Sequence, residues 1–346
     1  MRLILLPILA SLVIAMPVWA DKHNTDHSAH GAPAGGAHAG HDMTPLDASA
    51  APMAPPEARG NRLLAFKLVD GVKEYELEVG LLRWHILPEV MVSAMAYNGQ
   101  VPGPLLRFTP GDRVRIKVTN KLSEPTTVHW HGVDVPIGQD GVPDISHPPI
   151  APGATHAYEY TVPNTPGTFF YHTHFAPDRQ QALGLYGPLI IDDPKQATKP
   201  TAEHLIMLGE WRIDPDGTRP AMDADGMKPN YFTLNGKAHP LTETLTAKVG
   251  DRLLFRVVGS GQFIHPIHLH GAPFKIVGTD GHPVPEAQQL IKDTILVGPG
   301  ERYDLLWTPN RPGKWMLHCH INHHTTNDHR EDGHGGGMMM IIDVQG

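Results

Sequence analysis

The chain has 346 residues, a formal net charge of −8, and 24 histidines beside a single cysteine. That length leaves room for about two domains, each with its own core. The sequence has no basic patch with interleaved aromatics, which argues against nucleic acid as a partner, and one thiol excludes an internal disulfide framework.

The first twenty residues, MRLILLPILASLVIAMPVWA, have a basic start at Arg2, a short apolar run interrupted by Pro7 and Pro17, and a small-residue end at Ala20. This is the pattern of a cleaved export signal rather than a membrane anchor, and no later segment is apolar enough to span a bilayer. The mature protein is therefore expected to be exported, periplasmic or secreted. Residues 21–60 are rich in Ala, Gly, Pro and His and almost free of aromatics, so a flexible His-rich tail is expected there. Its His23, His27, His30, His38, His41 and Met43 suit loose copper or zinc binding and a solvated spacer equally well.

From Leu63 onward, short alternating runs such as YELEVG, RVRIKVTN, HAYEYTV and GPLIIDD recur between Gly and Pro turns. That is the signature of an all-β sandwich. After DDPKQATKP the pattern restarts with HLIMLGEW. PGDRVRIKVTN in the first half resembles KVGDRLLFRVVG in the second, and APGATHAYEYTVP resembles GPGERYDLLWTP. A duplicated β domain explains both likenesses, with expected limits of 61–197 and 198–346.

Four histidine clusters interrupt the strands: VHWHG (His129, His131), YHTHF (His172, His174), HPIHLHG (His265, His268, His270) and HCHINHH (His318, His320, His323, His324). In a strand, a His-x-His pair sends both imidazoles to one face. Four pairs at matched places in a duplicated domain point to metal rather than to ordinary surface histidines, although imidazole alone suits copper, zinc or iron. The cysteine narrows the choice. In LHCHI the alternation that puts His318 and His320 on one face puts Cys319 on the other, so neighbouring residues serve two different sites. A thiolate, two imidazoles and a weak axial ligand form the blue-copper arrangement. His265 and His324 are the candidate imidazoles, and a methionine of MMM is the candidate axial ligand. Structural zinc and a Cys/His nucleophile explain less, because zinc fingers use paired ligand motifs and a nucleophile leaves the other clusters unused.

The ordered set HWHG, YHTHF, HPIHLHG and HCHIxxH resembles that of the multicopper oxidases of laccase type, and specifically the small bacterial form with two cupredoxin-like Greek-key β-sandwich domains. The resemblance covers about residues 61–346. It implies four coppers per functional unit. Type 1 copper falls to His265, Cys319 and His324; type 2 to His129 and His268; and the type 3 pair to His131, His172, His174, His270, His318 and His320. Thr173 stands where a first-domain thiol would sit, so only the second domain is expected to be blue. The resemblance also implies a homotrimer whose neighbouring subunits share each trinuclear cluster. It further implies an acid after HWHG that supplies protons; Asp140 of DGVPD is the candidate, and it also suits a plain turn ahead of Gly141. The chain departs from the family between His324 and Met338, where residues 325–337 are inserted. Met338 is the expected axial ligand, ahead of Met339 and Met340, and His324 is preferred to His323 by spacing. His329, Asp332 and His334 of the insertion suit a mobile polar loop, a wall of the substrate mouth or a metal-binding group, and Met222 and Met227 are slender support for cuprous binding.

The expected activity is one-electron oxidation of phenolic or similar aromatic donors with reduction of dioxygen to water. A cuprous oxidase for copper tolerance and a copper storage or carrier protein without turnover are the alternatives. Copper nitrite reductase ranks lower because its blue site lies in the first domain.

Overall fold

The computed structural model describes residues 42–194, 199–223, 226–330 and 335–346. The expected export signal, the tail histidines through His41, and Asp332 and His334 lie outside these residues. No described helix is long and apolar enough to cross a membrane.

Alternation of apolar and polar residues builds the sheets. Strand Arg113–Asn120 (RVRIKVTN) buries Val114, Ile116 and Val118 and turns the residues between them outward. It lies between Val72–His85 and Thr155–Thr161 in a five-stranded sheet. A four-stranded sheet faces the same core, in the order Leu106–Phe108, Tyr186–Ile191, Gly167–His172, His129–His131. The second half repeats the plan. An eight-stranded sheet centres on Ala202–Asp214, Leu253–Gly259 and Arg302–Trp307, and a five-stranded sheet runs Leu245–Lys248, Met339–Gln345, Gly313–Cys319, His265–Leu269, Thr294–Val297. Phe255, Trp307, Leu317 and Ile342 fill the space between them. Each such side chain contributes about 2 kcal/mol by leaving water.

A third apolar cluster joins the two halves. Trp84, Val92 and Phe170 from the first pack with Met207, Trp211 and Tyr231 from the second, and Trp84 Nε1 donates to Gly236 O at 2.6 Å.

Composition extends the flexible tail to residue 60, but from Asp42 on the structure corrects that expectation. Leu46 N donates to Thr218 O, Met53 bridges to Arg83, and Arg83 N donates to Pro52 O. Arg179 Nη1 donates to the carbonyls of Asp42 and Thr44. Lys237 Nζ, lying over the Trp84 ring, donates to Pro56 O. An Ala- and Pro-rich segment cannot build a core, but it can cover one when its backbone groups find partners in strands already formed.

Candidate metal centres

Strand His265–Leu269 pairs with Gly313–Cys319 so that His268 lies opposite His318 and Ile267 opposite Cys319. Cross-strand partners share a face. The pairing therefore gathers His268, His270, His318 and His320 on one side of the sheet, and His265 with Cys319 on the core side.

On the core side the three candidate type 1 donors converge. His265 Nδ1 and His324 Nδ1 are 3.2 Å apart, and the Cys319 sulfur lies 3.8 Å from the first and 3.3 Å from the second. The point equidistant from these atoms is about 2 Å from each, close to the bond lengths of a transition-metal ion to imidazole nitrogen, about 2.0 Å, and to thiolate sulfur, about 2.3 Å. Two imidazoles and a thiol fit copper. His265 and His324 are 0% exposed and Cys319 1%. Burial pushes the Cys319 thiol up to about 12 and, with His265 and His323 nearby, pulls His324 down to about 3. Phe232 stacks on the His324 ring at 3.8 Å, and the exposed His323 packs edge-on against it at 4.4 Å. Met338 is fully buried. Its N–H donates to His324 O and its carbonyl accepts from Cys319 N. Continuing the register from the His318–Met339 pair sets Met338 opposite Cys319 and Met339 on the His318 face. His329 of the insertion is exposed.

The other face carries the half-buried trio His268, His270 and His318, whose donor atoms all lie within 4.8 Å of one another. His320 joins through ring contacts with His268 and His318 at 5.7 and 5.8 Å. His268 Nδ1 is occupied by Asp293 O and the Thr294 hydroxyl, and His318 Nδ1 by Cys319 O. Their Nε2 atoms are left to face the trio.

The first domain builds a counterpart. His129, His131 and His172 form a second trio within 4.8 Å, and His174 stands in ring contact with His129 at 5.6 Å. His129 lies opposite His172 across paired strands. Burial, with Arg302 and His129 nearby, pulls His131 down to about 4, and burial with the neighbouring histidines pulls His172 to about 3. Both are neutral and available as ligands at neutral pH. Asp140 closes a short 3-10 turn and also meets the trio. Its carbonyl accepts from His129 Nδ1 at 2.8 Å and its carboxylate lies 3.3 Å from the same atom. Gly141 follows at φ +80°, where a side chain would run into Val128 O. Among the described residues, no hydrogen bond or ring contact links the two sets of four histidines within one chain.

Two residues escaped the sequence reading. Asp293 holds on His268 the place that Asp140 holds on His129, a symmetry that the duplication offered. Glu210 reaches His265 Nε2 at 2.6 Å with both side chains buried. Its only signal is a charge inside the apolar run LIMLGEW.

Two family models, both described as multicopper oxidase, match residues 79–196 and 214–329. A solved structure of a blue copper oxidase from Nitrosomonas europaea superposes with a TM-score of 0.72 and 34% identity, covering 78% of this chain and 85% of that one. Copper resistance protein A of Pseudomonas syringae pv. tomato is 40% identical over 285 residues, covering 68% of this chain and 46% of that protein. Laccase-1 of Botryotinia fuckeliana is 31% identical over 272 residues, covering 70% and 47%. The chain spans about half the length of the curated relatives it matches.

Proposed function

This chain belongs to the multicopper oxidase family and has its cupredoxin-type all-β fold, and from that premise we propose that it is a laccase-like oxidase of phenolic or similar aromatic donors with dioxygen as acceptor. The observation that carries the reading is Cys319 buried between two imidazole nitrogens while its chain neighbours His318 and His320 face a separate histidine group. Copper, when bound, supplies one-electron transfer at the first site and reduction of dioxygen to water at the second.

The chain's own residues prepare both sites. His265, Cys319, His324 and Met338 would hold the type 1 copper; His129 and His268 the type 2 copper; and His131, His172, His174, His270, His318 and His320 the type 3 pair. Cys319 joins the sites through its own backbone, since its carbonyl accepts from His318 Nδ1. His323, exposed beside the buried His324, would be the donor's point of approach to the copper. Asp140 delivers protons next to His129.

Each domain carries half of the eight-histidine set, so a complete cluster needs the first domain of one copy against the second domain of another. Exposed Ile137 and Ile145 flank Asp140, and exposed Leu290, Ile291 and Leu296 flank Asp293. Such apolar rims favour a closed homotrimer. Export to the periplasm or beyond suits this reading, and the protein would carry four coppers per functional unit.

Oxygen uptake by copper-loaded protein, with phenolic, aromatic amine and cuprous donors side by side, tests the proposal. Uptake with phenols is expected, and a colourless protein that binds one copper per chain would overturn it. Cuprous oxidation is the second reading, favoured by the 40% identity to copper resistance protein A; it is indicated if uptake follows cuprous ion alone.

A further inference from the structure

We propose that Glu210 is a positioning residue that fixes His265 for copper and, through its buried charge, favours the oxidised state of the type 1 site. This rests on the copper reading above.

The carboxylate sits in the interior with its side chain 2% exposed, and among the described residues its only ion-pair partner is His265. An ionised carboxylate accepts hydrogen bonds but cannot donate them, so the 2.6 Å contact requires the proton of His265 on Nε2. Nδ1 is thereby left as a lone pair aimed at Cys319 and His324. The other imidazole has no such partner, for Nε2 of His324 is buried without a hydrogen bond. Glu210 also accepts from the backbone N–H groups of Gln262 and Phe263. It thus ties the ligand strand to the 260–263 loop, and Phe263 in turn contacts both imidazole rings. Gln181 of the first domain holds the same loop through Ser260 O. Gly261 permits the approach, because a Cβ there would meet the carboxylate.

A buried carboxylate without a cation is costly. Charge balance explains why it is kept. A divalent copper, the Cys319 thiolate and the Glu210 carboxylate sum to zero, whereas the cuprous state leaves one buried negative charge. Glu210 therefore stabilises the oxidised site relative to the reduced one, which directs it toward readily oxidised donors such as electron-rich phenols or cuprous ion.

The test is a redox titration of the blue band in copper-loaded wild type, Glu210→Gln and Glu210→Leu. Glutamine keeps the shape and an oxygen acceptor for Nε2–H but removes the charge. Glu210→Gln should stay blue while its preference for the reduced state rises about tenfold, a positive shift of about 59 mV. Glu210→Leu should also lose His265 orientation, with copper affinity down about 10- to 100-fold. A blue wild type whose Glu210→Gln variant titrates at an unchanged potential overturns the charge role. Unchanged copper affinity in Glu210→Leu overturns the positioning role. A wild type that never turns blue removes the copper reading, and this assignment with it.

Discussion

His172-Thr173-His174 in the first domain and His318-Cys319-His320 in the second follow one pattern but use their inner faces differently. Both present histidines outward to a group that could hold a metal ion. Inward, Thr173 Oγ1 donates to Gln180 Oε1 at 2.9 Å, and the Thr126 hydroxyl donates to the same oxygen at 2.8 Å. Gln180 Nε2 in turn donates to Glu124 Oε1 at 2.8 Å, so the knot is closed by side chains of the domain itself. In the second domain the same position holds a thiol beside two imidazoles, with a carboxylate on one of them, a group that could hold a metal ion. The two domains thus share the outer-face pattern and differ on the inner face, which a two-residue period allows because adjacent side chains never share a face.

The comparison can be broken most severely at Cys319. Cys319→Ser should abolish the blue absorption and oxygen uptake with every donor, while circular dichroism stays that of the wild type. Next in size is a test of shared sites. A first-domain variant (His129→Ala with His131→Ala) and a second-domain variant (His268→Ala with His270→Ala) should each be inactive. Refolded together in equal amounts they should recover about a quarter of wild-type activity, as random cyclic assembly requires. No recovery would mean that each chain builds its cluster alone. Asp140→Asn should lower kcat about 100-fold without altering the blue band, as expected for loss of a proton donor; Asp293→Asn measures whether the second half has an equivalent.

Acid sharpens the contrast further. His131 and His172 are held near 4 and 3 by burial and neighbouring positive groups, whereas unfolded histidine titrates near 6.5. The unfolded chain therefore gains protons first as pH falls. Stability of the metal-free protein should be full above about pH 6.5 and decline from there toward pH 4, lowering Tm on the order of 5 °C in a calorimetric scan. The smallest effect is expected at Thr173. Thr173→Cys should gain no blue colour, because among the described residues no imidazole pair shares its inward face, and should cost about 1 kcal/mol in a denaturant titration through the lost hydroxyl bonds.

Much of this was legible from spacing alone. HCHI in a strand commits Cys319 and its two neighbours to opposite faces whatever the rest of the chain does, and HPIHLH separates His265 from His268 and His270 in the same way. The same alternation puts Met338 and Met339 on opposite faces, and Met339 pairs with His318. What escaped was non-local. Residues 42–60 look too poor in apolar groups to fold, yet Leu46 and Ala54 are buried because strands more than twenty residues away supply the other wall and the backbone partners. Glu210 looked like one charge in an apolar strand.

The amino-acid sequence by itself determined the two-sandwich plan, the duplicated histidine pairs and the division of donors between two faces, since each follows from a period of two along the chain. The tertiary structure alone decided that Glu210 meets His265, that Asp293 mirrors Asp140, and that the segment after Asp42 is packed. Those outcomes depend on which distant strands pair and in what register, and a buried charge or an uncovered backbone group finds its partner only once that register is set.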